Sequence, residues 1–320
     1  MIRVMDFADG SARVSDAADA RVLEDAPPGF RWLHFQERES LNLLEERDCH
    51  LPEVVVRALL AVETRPRCDM LADGVLLNLR TPLAEGDDAT EGDPLASMRI
   101  WATPKLLISV AFRPTDVLPQ AIAAFGTGAL QDCGDVLVAL LSASAEQLDA
   151  KVAQIGDALD ALEEGIDRHA SFEQRRETSR LRSAAIGLRR FVAPQRQALE
   201  SLMSLGLPWF DTAERAHMRE ATDRFYRMAE ELESVRERAA VLHDEITDLR
   251  SERMDARSLQ IAISALIFLP LTFITGLLGM NVEGIPYAKA PWAFWGVTTL
   301  CIAIALLVAA WFIWRGWSKR

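Results

Sequence analysis

The stretch that decides the fold is LQIAISALIFLPLTFITGLLGM, residues 259–280, which holds 22 residues and no formal charge. A second stretch of the same kind, WAFWGVTTLCIAIALLVAAWFIW, occupies residues 292–314. A helix needs about 20 apolar residues to cross a hydrocarbon core of about 30 Å. Helices this long and apolar on every face have too little soluble domain around them to form a buried hairpin. We therefore predict two transmembrane helices near the carboxy-terminal end.

Basic residues flank these two predicted spans on one side of the membrane. Three precede the first span and three follow the second: Arg250, Arg253, Arg257, Arg315, Lys319 and Arg320. The loop between the spans, residues 281–291, carries only Lys289 and Glu283. Because basic residues accumulate in cytoplasmic segments, both termini are predicted to be cytoplasmic and the loop external. The four cysteines form no CxxC pair, as expected in a reducing compartment.

The charge of the chain lies in its larger, amino-terminal part. The whole chain has a formal net charge of −12, and residues 259–320 hold four bases and one acid, a sum of +3. Residues 1–258 therefore carry −15, since −12 minus +3 is −15. This acidity argues against nucleic acid as a partner, because nucleic-acid binding needs a clustered basic surface. Solubility alone would also explain much of the charge.

Short β-rich runs alternate with helical patterns in the amino-terminal region. The runs are residues 30–35, 74–79, 97–102 and 105–112, and the clearest helical pattern is residues 52–63. This alternation predicts a mixed α/β domain over residues 1–140.

Residues that would support catalysis or a resident cofactor are sparse. The sequence contains no Gly-rich phosphate loop, HExxH motif or GxSxG motif. Cys49 and His50 are adjacent, but a metal site needs ligands from several converging segments. The histidines at positions 34, 50, 169, 217 and 243 show no spacing typical of a hydrolase or a metalloenzyme. We predict that the protein is not an enzyme and holds no cofactor.

Long helices follow the α/β domain, and they predict an antiparallel helical stalk over residues 141–258. One apolar stripe runs along Leu148, Val152, Ile155, Leu159, Leu162 and Ile166, and a second helix is expected over residues 172–205. A third helix carries ten consecutive apolar heptad positions: Met218, Ala221, Phe225, Met228, Leu232, Val235, Ala239, Leu242, Ile246 and Leu249. No turn signal follows them, so one helix is predicted over residues 211–280, about 105 Å long.

A second stripe on this helix lies about 200° from the apolar seam. It comprises Asp223, Tyr226, Glu230, Glu233, Glu237, Ala240, Asp244, Thr247, Ser251, Met254, Ser258, Ile261, Ala265, Leu269, Thr272 and Gly276. A solvated helix face explains its cytoplasmic half equally well. Inside the membrane, however, a small or hydroxyl-bearing face is of little use against lipid and favours helices packed around an axis. An oligomer with the first span innermost could enclose a pore, whereas one two-span subunit could not.

The triplet Gly279-Met280-Asn281 at the outer end of this helix resembles the signature of the CorA family of divalent-cation transporters. The resemblance covers the whole chain, since the acidic α/β domain, the long seamed helix and the hairpin of spans all match. The run PLTFITGLLGMNVEGIP, residues 270–286, resembles the zinc-transporting ZntB branch, as do residues 63–67 (ETRPR) and Trp101. Glu283 departs from that branch, in which glycine is expected between Val282 and Gly284.

The resemblance implies a funnel-shaped homopentamer in a bacterial inner membrane. The first span, residues 259–280, would form the pore wall, residues 281–291 the external loop, residues 292–314 an outer helix, and residues 315–320 a cytoplasmic basic tail. Asn281 would form the pore mouth, where a ring of neutral amides can hold the waters of a hydrated dication without trapping the ion.

Further residues of the stripe would then line the pore below this mouth. Thr272 would supply a second polar ring, and Gly276 would let the backbone approach the axis. Leu269, Ile261 and Met254 would form apolar constrictions able to gate by dewetting. Asp244, near the cytoplasmic entrance, could bind a cation between subunits. The remaining pore-lining residues of this set are Ala265, Ser258, Ser251 and Thr247.

The cargo predicted from the resemblance is Zn²⁺, with Mg²⁺, Co²⁺, Ni²⁺ and Cd²⁺ as further candidates and protons as a coupling ion. A Mg²⁺/Co²⁺ channel is the alternative within the family. The stripe holds no His or Cys, the ligands that zinc prefers, so any zinc would pass hydrated. The spans hold no ionisable residue on the stripe, so no proton relay is evident. A membrane-anchored coiled-coil scaffold or sensor is the alternative from another class, but an anchor would not need polar residues continuing to Thr272 and Asn281.

Overall fold

The computed structural model describes residues 2–17, 28–37, 40, 51–61, 65–84, 95–165, 172–281, 284–285, 287 and 289–314. The chain divides into two compact units, Met1–His243 and Asp244–Arg320. We call them unit 1 and unit 2, and each is described by itself.

A seven-stranded sheet forms the centre of unit 1. Its strands are β1 (Ile2–Ala8), β2 (Ser11–Ala17), β3 (Phe30–Phe35), β4 (Arg67–Leu71), β5 (Gly74–Pro82), β6 (Leu95–Ala102) and β7 (Leu106–Ala111). Their order across the sheet is β2-β1-β3-β7-β6-β5-β4. The pair β3 and β7 is parallel, whereas the other neighbouring strands are antiparallel. The sheet is therefore mixed, as expected for a domain that alternates strands and helices.

Helices cover both faces of this sheet because successive strand residues point to opposite sides. On one face, Leu33 and Phe35 of β3 belong to a core cluster with Val55 and Leu59 of helix α1 (Glu53–Leu60). On the other face, Trp32 packs edge-on against Phe125 of helix α2 (Val117–Gly126), with the ring centroids 6.1 Å apart. The predicted α/β domain is confirmed as a layered sheet with helices on each side.

All four predicted β-rich runs form strands, but three elements were not predicted. They are the β1–β2 hairpin, strand β4 and helix α2. The hairpin turn is formed by Asp9 and Gly10, whose φ angles of 52° and 72° are those of a tight turn that matches strand twist. The Asp-Gly pair was the local signal for this hairpin.

Three long helices follow the sheet domain: α3 (Cys133–Glu164), α4 (Phe172–Ser204) and α5 (Thr212–Leu278). The predicted seam of α5 is confirmed, because nine of its ten positions are buried and Leu249 is half-buried. On α3, Leu148, Val152 and Leu159 are buried as predicted, Ile155 and Leu162 are half-buried, and position 166 lies outside the described residues. Burial of the seams holds these helices together.

Helix α5 starts at a reciprocal cap. Asp211 Oδ1 accepts a hydrogen bond from the Glu214 N–H at 2.7 Å, and Glu214 Oε2 accepts one from the Asp211 N–H at 2.5 Å. This capping box satisfies two backbone donors at the helix start. The helix then runs without interruption for 67 residues, through Pro270, and ends at Leu278 rather than at the predicted position 280.

Unit 2 contains the carboxy-terminal part of α5 and helix α6 (Ala293–Trp314). Both helices are long and apolar enough to cross a membrane, and the most apolar window of each is 0% buried within the chain. Tryptophans at the ends of α6, including Trp292 and Trp314, are exposed, as expected for a belt at the membrane interface.

Candidate functional site

The predicted pore stripe lies on one exposed face of α5 in unit 2. Its ten helical members are all exposed: Asp244, Thr247, Ser251, Met254, Ser258, Ile261, Ala265, Leu269, Thr272 and Gly276. Leu269 and Ile261 are 75% and 71% exposed. The other described residues therefore leave the stripe uncovered.

A half-buried stripe runs along the opposite face of the same helix segment. Its members are Leu259, Ile263, Ile267, Pro270 and Ile274, and each precedes a stripe residue by two positions. Two positions correspond to a rotation of about 200°, so the pore stripe faces away from the shielded side. Helix α6 also has half-buried residues at helical spacing, including Cys301, Ala305 and Val308. This arrangement places the stripe on the side of α5 that is free to meet other molecules.

Inside the first span, hydroxyl groups on the stripe and off the stripe differ in their hydrogen bonding. The hydroxyls of Ser264 and Thr275, off the stripe, donate to carbonyls four residues earlier, Gln260 O and Leu271 O, both at 2.9 Å. Within the part of the chain that the structure describes, the Thr272 hydroxyl has no hydrogen-bond partner. Thr272 can therefore offer its hydroxyl to a ligand that approaches this face.

Glycine at position 276 is not required by packing inside the chain. A Cβ atom built there would meet nothing within 4 Å among the described residues. Gly279 differs, because a Cβ atom at that position would come within 3.0 Å of the Thr275 carbonyl oxygen. The smallness of Gly276 suits close approach by a neighbouring helix.

The signature triplet lies directly after the end of α5. The Gly279 N–H donates to Thr275 O at 2.9 Å and continues the helical bond pattern for one more residue. Met280 and Asn281 are exposed, and Asn281 has left the helix. The triplet thus presents the Asn281 amide at the end of the first span, while Glu283 lies outside the described residues.

The part of the stripe that lies in unit 1 makes contacts with α4 that the sequence did not predict. In unit 1, Glu233 forms an ion pair with Arg189 of α4 at 2.9 Å. Arg196 of α4 lies over the Tyr226 ring, 5.3 Å from its centroid. Glu233 is half-buried, so the prediction that it faces away from the packed helices is wrong, whereas Tyr226 is exposed as predicted.

A cluster of carboxylates between the start of α3 and the start of α5 was missed by sequence reasoning. One oxygen each of Asp132, Asp135 and Glu214 lies within 4.8 Å of the others. Glu214 is buried, and a Cβ atom at position 134 would overlap its carboxylate, which explains Gly134. Burial raises the pKa of Glu214 to about 7, the Asp211 N–H bond opposes this, and Asp132 adds to it. The group can therefore hold a proton near neutral pH.

The histidines described by the structure do not form a shared site. His34 is buried in the sheet, where its Nδ1 lies 3.0 Å from Ser109 Oγ, and burial lowers its pKa to about 4. His243 Nδ1 lies 3.4 Å from Ser179 Oγ on α4. Cys49 and His50, the adjacent pair noted in the sequence, lie outside the described residues.

Comparisons with known proteins agree with this architecture. Residues 28–320 match the family model of the CorA-like Mg²⁺ transporter protein. The full-length CmaX protein is 31% identical, with a TM-score of 0.78 and coverage of 98% of this chain and 96% of that one. The CorA magnesium transporter from Methanocaldococcus jannaschii is 18% identical, with a TM-score of 0.77 and coverage of 98% and 97%.

The cytoplasmic domain of ZntB from Vibrio parahaemolyticus RIMD 2210633 is also similar to this chain. It is 22% identical, with a TM-score of 0.66 and coverage of 78% of this chain and 98% of that one. The family model spans most of the chain, and the sheet domain, long helix and apolar carboxy-terminal helix match full-length structures. The chain therefore belongs to the CorA family of divalent-cation transporters.

Proposed function

We propose that this protein moves divalent metal cations, Zn²⁺ foremost, across the bacterial inner membrane through a homopentameric pore lined by α5. The observation that carries the proposal is the stripe from Asp244 to Gly276, which is exposed along its whole length and opposite the half-buried face. A lipid-facing role does not account for Thr272 and Gly276 on that face. A pore formed by several copies would give these residues water and neighbouring helices.

Asn281 forms the outer mouth of the proposed pore. Its exposed amide at the end of the span would contribute to a ring of five neutral oxygens that hydrogen-bond the waters of a hydrated dication. About two and a half turns below, Thr272 would form a second polar ring. Neutral oxygens bind a hydrated ion weakly enough to release it, which a conducting site requires.

Apolar rings separate this polar mouth from the cytoplasmic entrance. Leu269, Ile261 and Met254 would form constrictions that close when water leaves them, with Ala265 and Ser258 between them. The lower part of the pore would be lined by Ser251, Thr247 and Asp244. Asp244 supplies the one acid of this set and would bind a cation at the inner mouth.

Zinc is proposed as the cargo because of the resemblance of residues 270–286 to the ZntB branch. The stripe from Asp244 to Gly276 contains no His or Cys, so the ion would pass hydrated rather than directly ligated. A Mg²⁺/Co²⁺ channel is the second candidate, favoured by the description of the matching family model. Co²⁺, Ni²⁺ and Cd²⁺ are further test ions, and proton coupling would have to use residues outside the stripe within the span.

Charge in the cytoplasmic part supports a cation pathway. Residues 1–258 carry a net −15, from −12 for the chain less +3 for residues 259–320. Five such regions around one vestibule would raise the local concentration of cations by focusing the negative potential. We propose no enzymatic activity and no cofactor for the protein.

Ion flux into proteoliposomes tests this function. Zn²⁺, Mg²⁺, Co²⁺, Ni²⁺ and Cd²⁺ are compared, each with and without a pH gradient, for the parent chain and three variants. Asn281→Ala should lose most of the flux because it removes the mouth amides, and Asn281→Asp should slow release by binding cations more tightly. Thr298→Ala on α6 is the matched control, since its hydroxyl bonds only Phe294 O of its own helix at 2.9 Å.

The outcomes separate the pore from a membrane anchor. An anchor predicts no flux in the parent chain and no difference between the Asn281 and Thr298 variants. Parent-like flux by Asn281→Ala at normal expression would show that Asn281 does not form the mouth. Native mass spectrometry should show a pentamer, and a monomer or dimer as the sole species would exclude the proposed pore.

A further inference from the structure

Two neighbouring helices of unit 1 carry opposite charge. Helix α3 holds seven acids and one base, whereas α4 holds seven arginines and three acids. Some of these charges are paired within the chain: Arg180 with Glu177, Arg189 with Glu233, and both Asp160 and Glu163 with Arg238. Among the described residues, several others have no ion-pair partner, including Asp149, Asp157 and Glu164 on α3 and Arg175, Arg182 and Arg190 on α4.

Hydrogen bonds at two levels fix the antiparallel register of α3 and α4. At one level, Gln174 Nε2 donates to Gly165 O at 3.0 Å. At the other, Ser144 Oγ and Gln195 Nε2 both donate to Arg80 O, at 3.4 and 3.2 Å. These levels are 21 residues apart on both helices, from 144 to 165 and from 174 to 195. The register is therefore constant between them.

This register places these three acids level with these three arginines, of which Arg190 also lies over the Phe191 ring at 4.7 Å. Position 149 is level with 190, position 157 with 182, and position 164 with 175. Asp157, Glu164, Arg182 and Arg190 are exposed, and the other two are half-buried. Within one chain these matched residues do not form ion pairs, although all six belong to the described part.

Copies of the chain related by rotation about an axis parallel to these helices have equivalent residues at the same height. The rotation would therefore bring matched acids and arginines of different copies together. Helices α3 and α5 run in the same direction, because Asp132 and Glu214 lie together at their starts, and Arg238 farther along α5 binds Asp160 and Glu163 near the end of α3. In the proposed ring, with α5 nearest the axis, each neighbour is displaced by rotation without a change of height. The acidic face of one copy would then meet the arginine face of the next at the same three levels.

We propose that the acidic face of α3 binds the arginine face of α4 on a second copy of this chain, through Asp149–Arg190, Asp157–Arg182 and Glu164–Arg175. This contact is heterologous, so each copy offers one face to each neighbour and the ring can close. Its opposite charges set the orientation and register of the neighbours more than they add affinity. The inference rests on the proposed homopentamer and identifies a cytoplasmic contact of that assembly.

Crosslinking between two differently tagged copies tests the contact. Asp157→Cys is placed in one full-length chain and Arg182→Cys in the other, and both are expressed together and treated in membranes with a short bismaleimide. A product carrying both tags is expected from the mixture only. Each variant expressed alone should give no more crosslinked product than the parent chain, which has four native cysteines. A heterologous contact does not place position 157 of one copy against position 157 of the next.

Charge reversal provides a second, independent test. Arg182→Glu should reduce the pentamer fraction severalfold in native mass spectrometry at low salt, and adding Asp157→Arg to the same chain should restore it. Arg57→Glu on α1 is the matched control, since its side chain is 76% exposed and lies on neither face. A pentamer without the mixed crosslink, or equal effects of Arg182→Glu and Arg57→Glu, would overturn this contact but leave the proposed function intact. Absence of any oligomer would overturn both.

Discussion

Replacement of Glu214 by glutamine should remove a pH dependence from the stability of unit 1. The amide has the shape and the neutral charge of the protonated carboxyl group, and it can still accept the Asp211 N–H bond. Burial raises the pKa of Glu214 from 4.5 to about 7, so the folded protein binds this proton more tightly than the unfolded chain does. The resulting stability is fully present below pH 4.5 and is lost as the pH rises through about 7.

The difference between the pKa values of Glu214 in the unfolded and folded states limits the size of this stability change. An interval from 4.5 to about 7 corresponds to at most about 3 kcal/mol. Desolvation of the Glu214 carboxylate is the main cause of this shift, and solvent near the exposed Asp132 weakens it, so about 1 kcal/mol is the expected difference. An ionised Glu214 carboxylate would also interact favourably with the start of α5. This interaction opposes the loss of stability and is typically worth less than about 1 kcal/mol.

Thermal unfolding of the full-length chain in detergent, followed from acidic to mildly alkaline pH, measures the effect. The parent chain should lose stability relative to Glu214→Gln as the pH rises toward and beyond neutrality, and the variant should be the more stable above pH 7. Glu220→Gln is the control, because Glu220 is exposed on the same helix and pairs with Arg224 at 3.0 Å. If Glu214→Gln is instead less stable than the parent at alkaline pH, the ionised cap stabilises the fold and the reasoning is refuted.

Three further predictions concern the stalk and the topology. Arg238→Gln should lower the free energy of unfolding by about 1 kcal/mol at low salt, because it removes partly exposed ion pairs to Asp160 and Glu163; unchanged stability in denaturant titrations would contradict this. Phe225→Ala should cost about 3–5 kcal/mol in the same titrations, because the side chain is 0% exposed, and a loss below about 1 kcal/mol would show that the seam repacks. Lys289→Cys should react with an impermeant thiol reagent from outside intact cells, with the parent chain as the control; labelling only after the membrane is opened would reverse the predicted topology.

Periodicity made the long helices predictable from sequence. The ten-position seam and the unbroken pattern behind it located α5 to within two residues at each end, because a heptad repeat reports burial directly. The hairpin around Asp9 and Gly10 was missed, since β2 is mostly exposed, β1 is only partly buried, and neither shows strong apolar alternation. Local patterns thus identify elements whose burial is regular and fail where burial is irregular.

Contacts between distant segments were beyond sequence reasoning. Asp132 and Glu214 are 82 positions apart, from 132 to 214, and meet only because the starts of α3 and α5 lie together. Arg189 and Glu233 likewise meet through helix packing, which changed the interpretation of the cytoplasmic stripe. The membrane half of the stripe stays a prediction, made from sequence because small or polar residues are rare in an apolar span.

Pro270 gives the first span a mechanical weak point. Proline has no N–H, so residue 270 cannot donate the helical hydrogen bond to the Leu266 carbonyl one turn earlier. An unpaired carbonyl is costly in hydrocarbon, and membrane helices satisfy it with water, hydroxyls or neighbouring helices. A helix that lacks one backbone hydrogen bond bends at that position more easily than elsewhere. In the proposed pore, Pro270 lies between the rings of Leu269 and Thr272, so a small bend there would change the widths of the apolar and polar rings by different amounts.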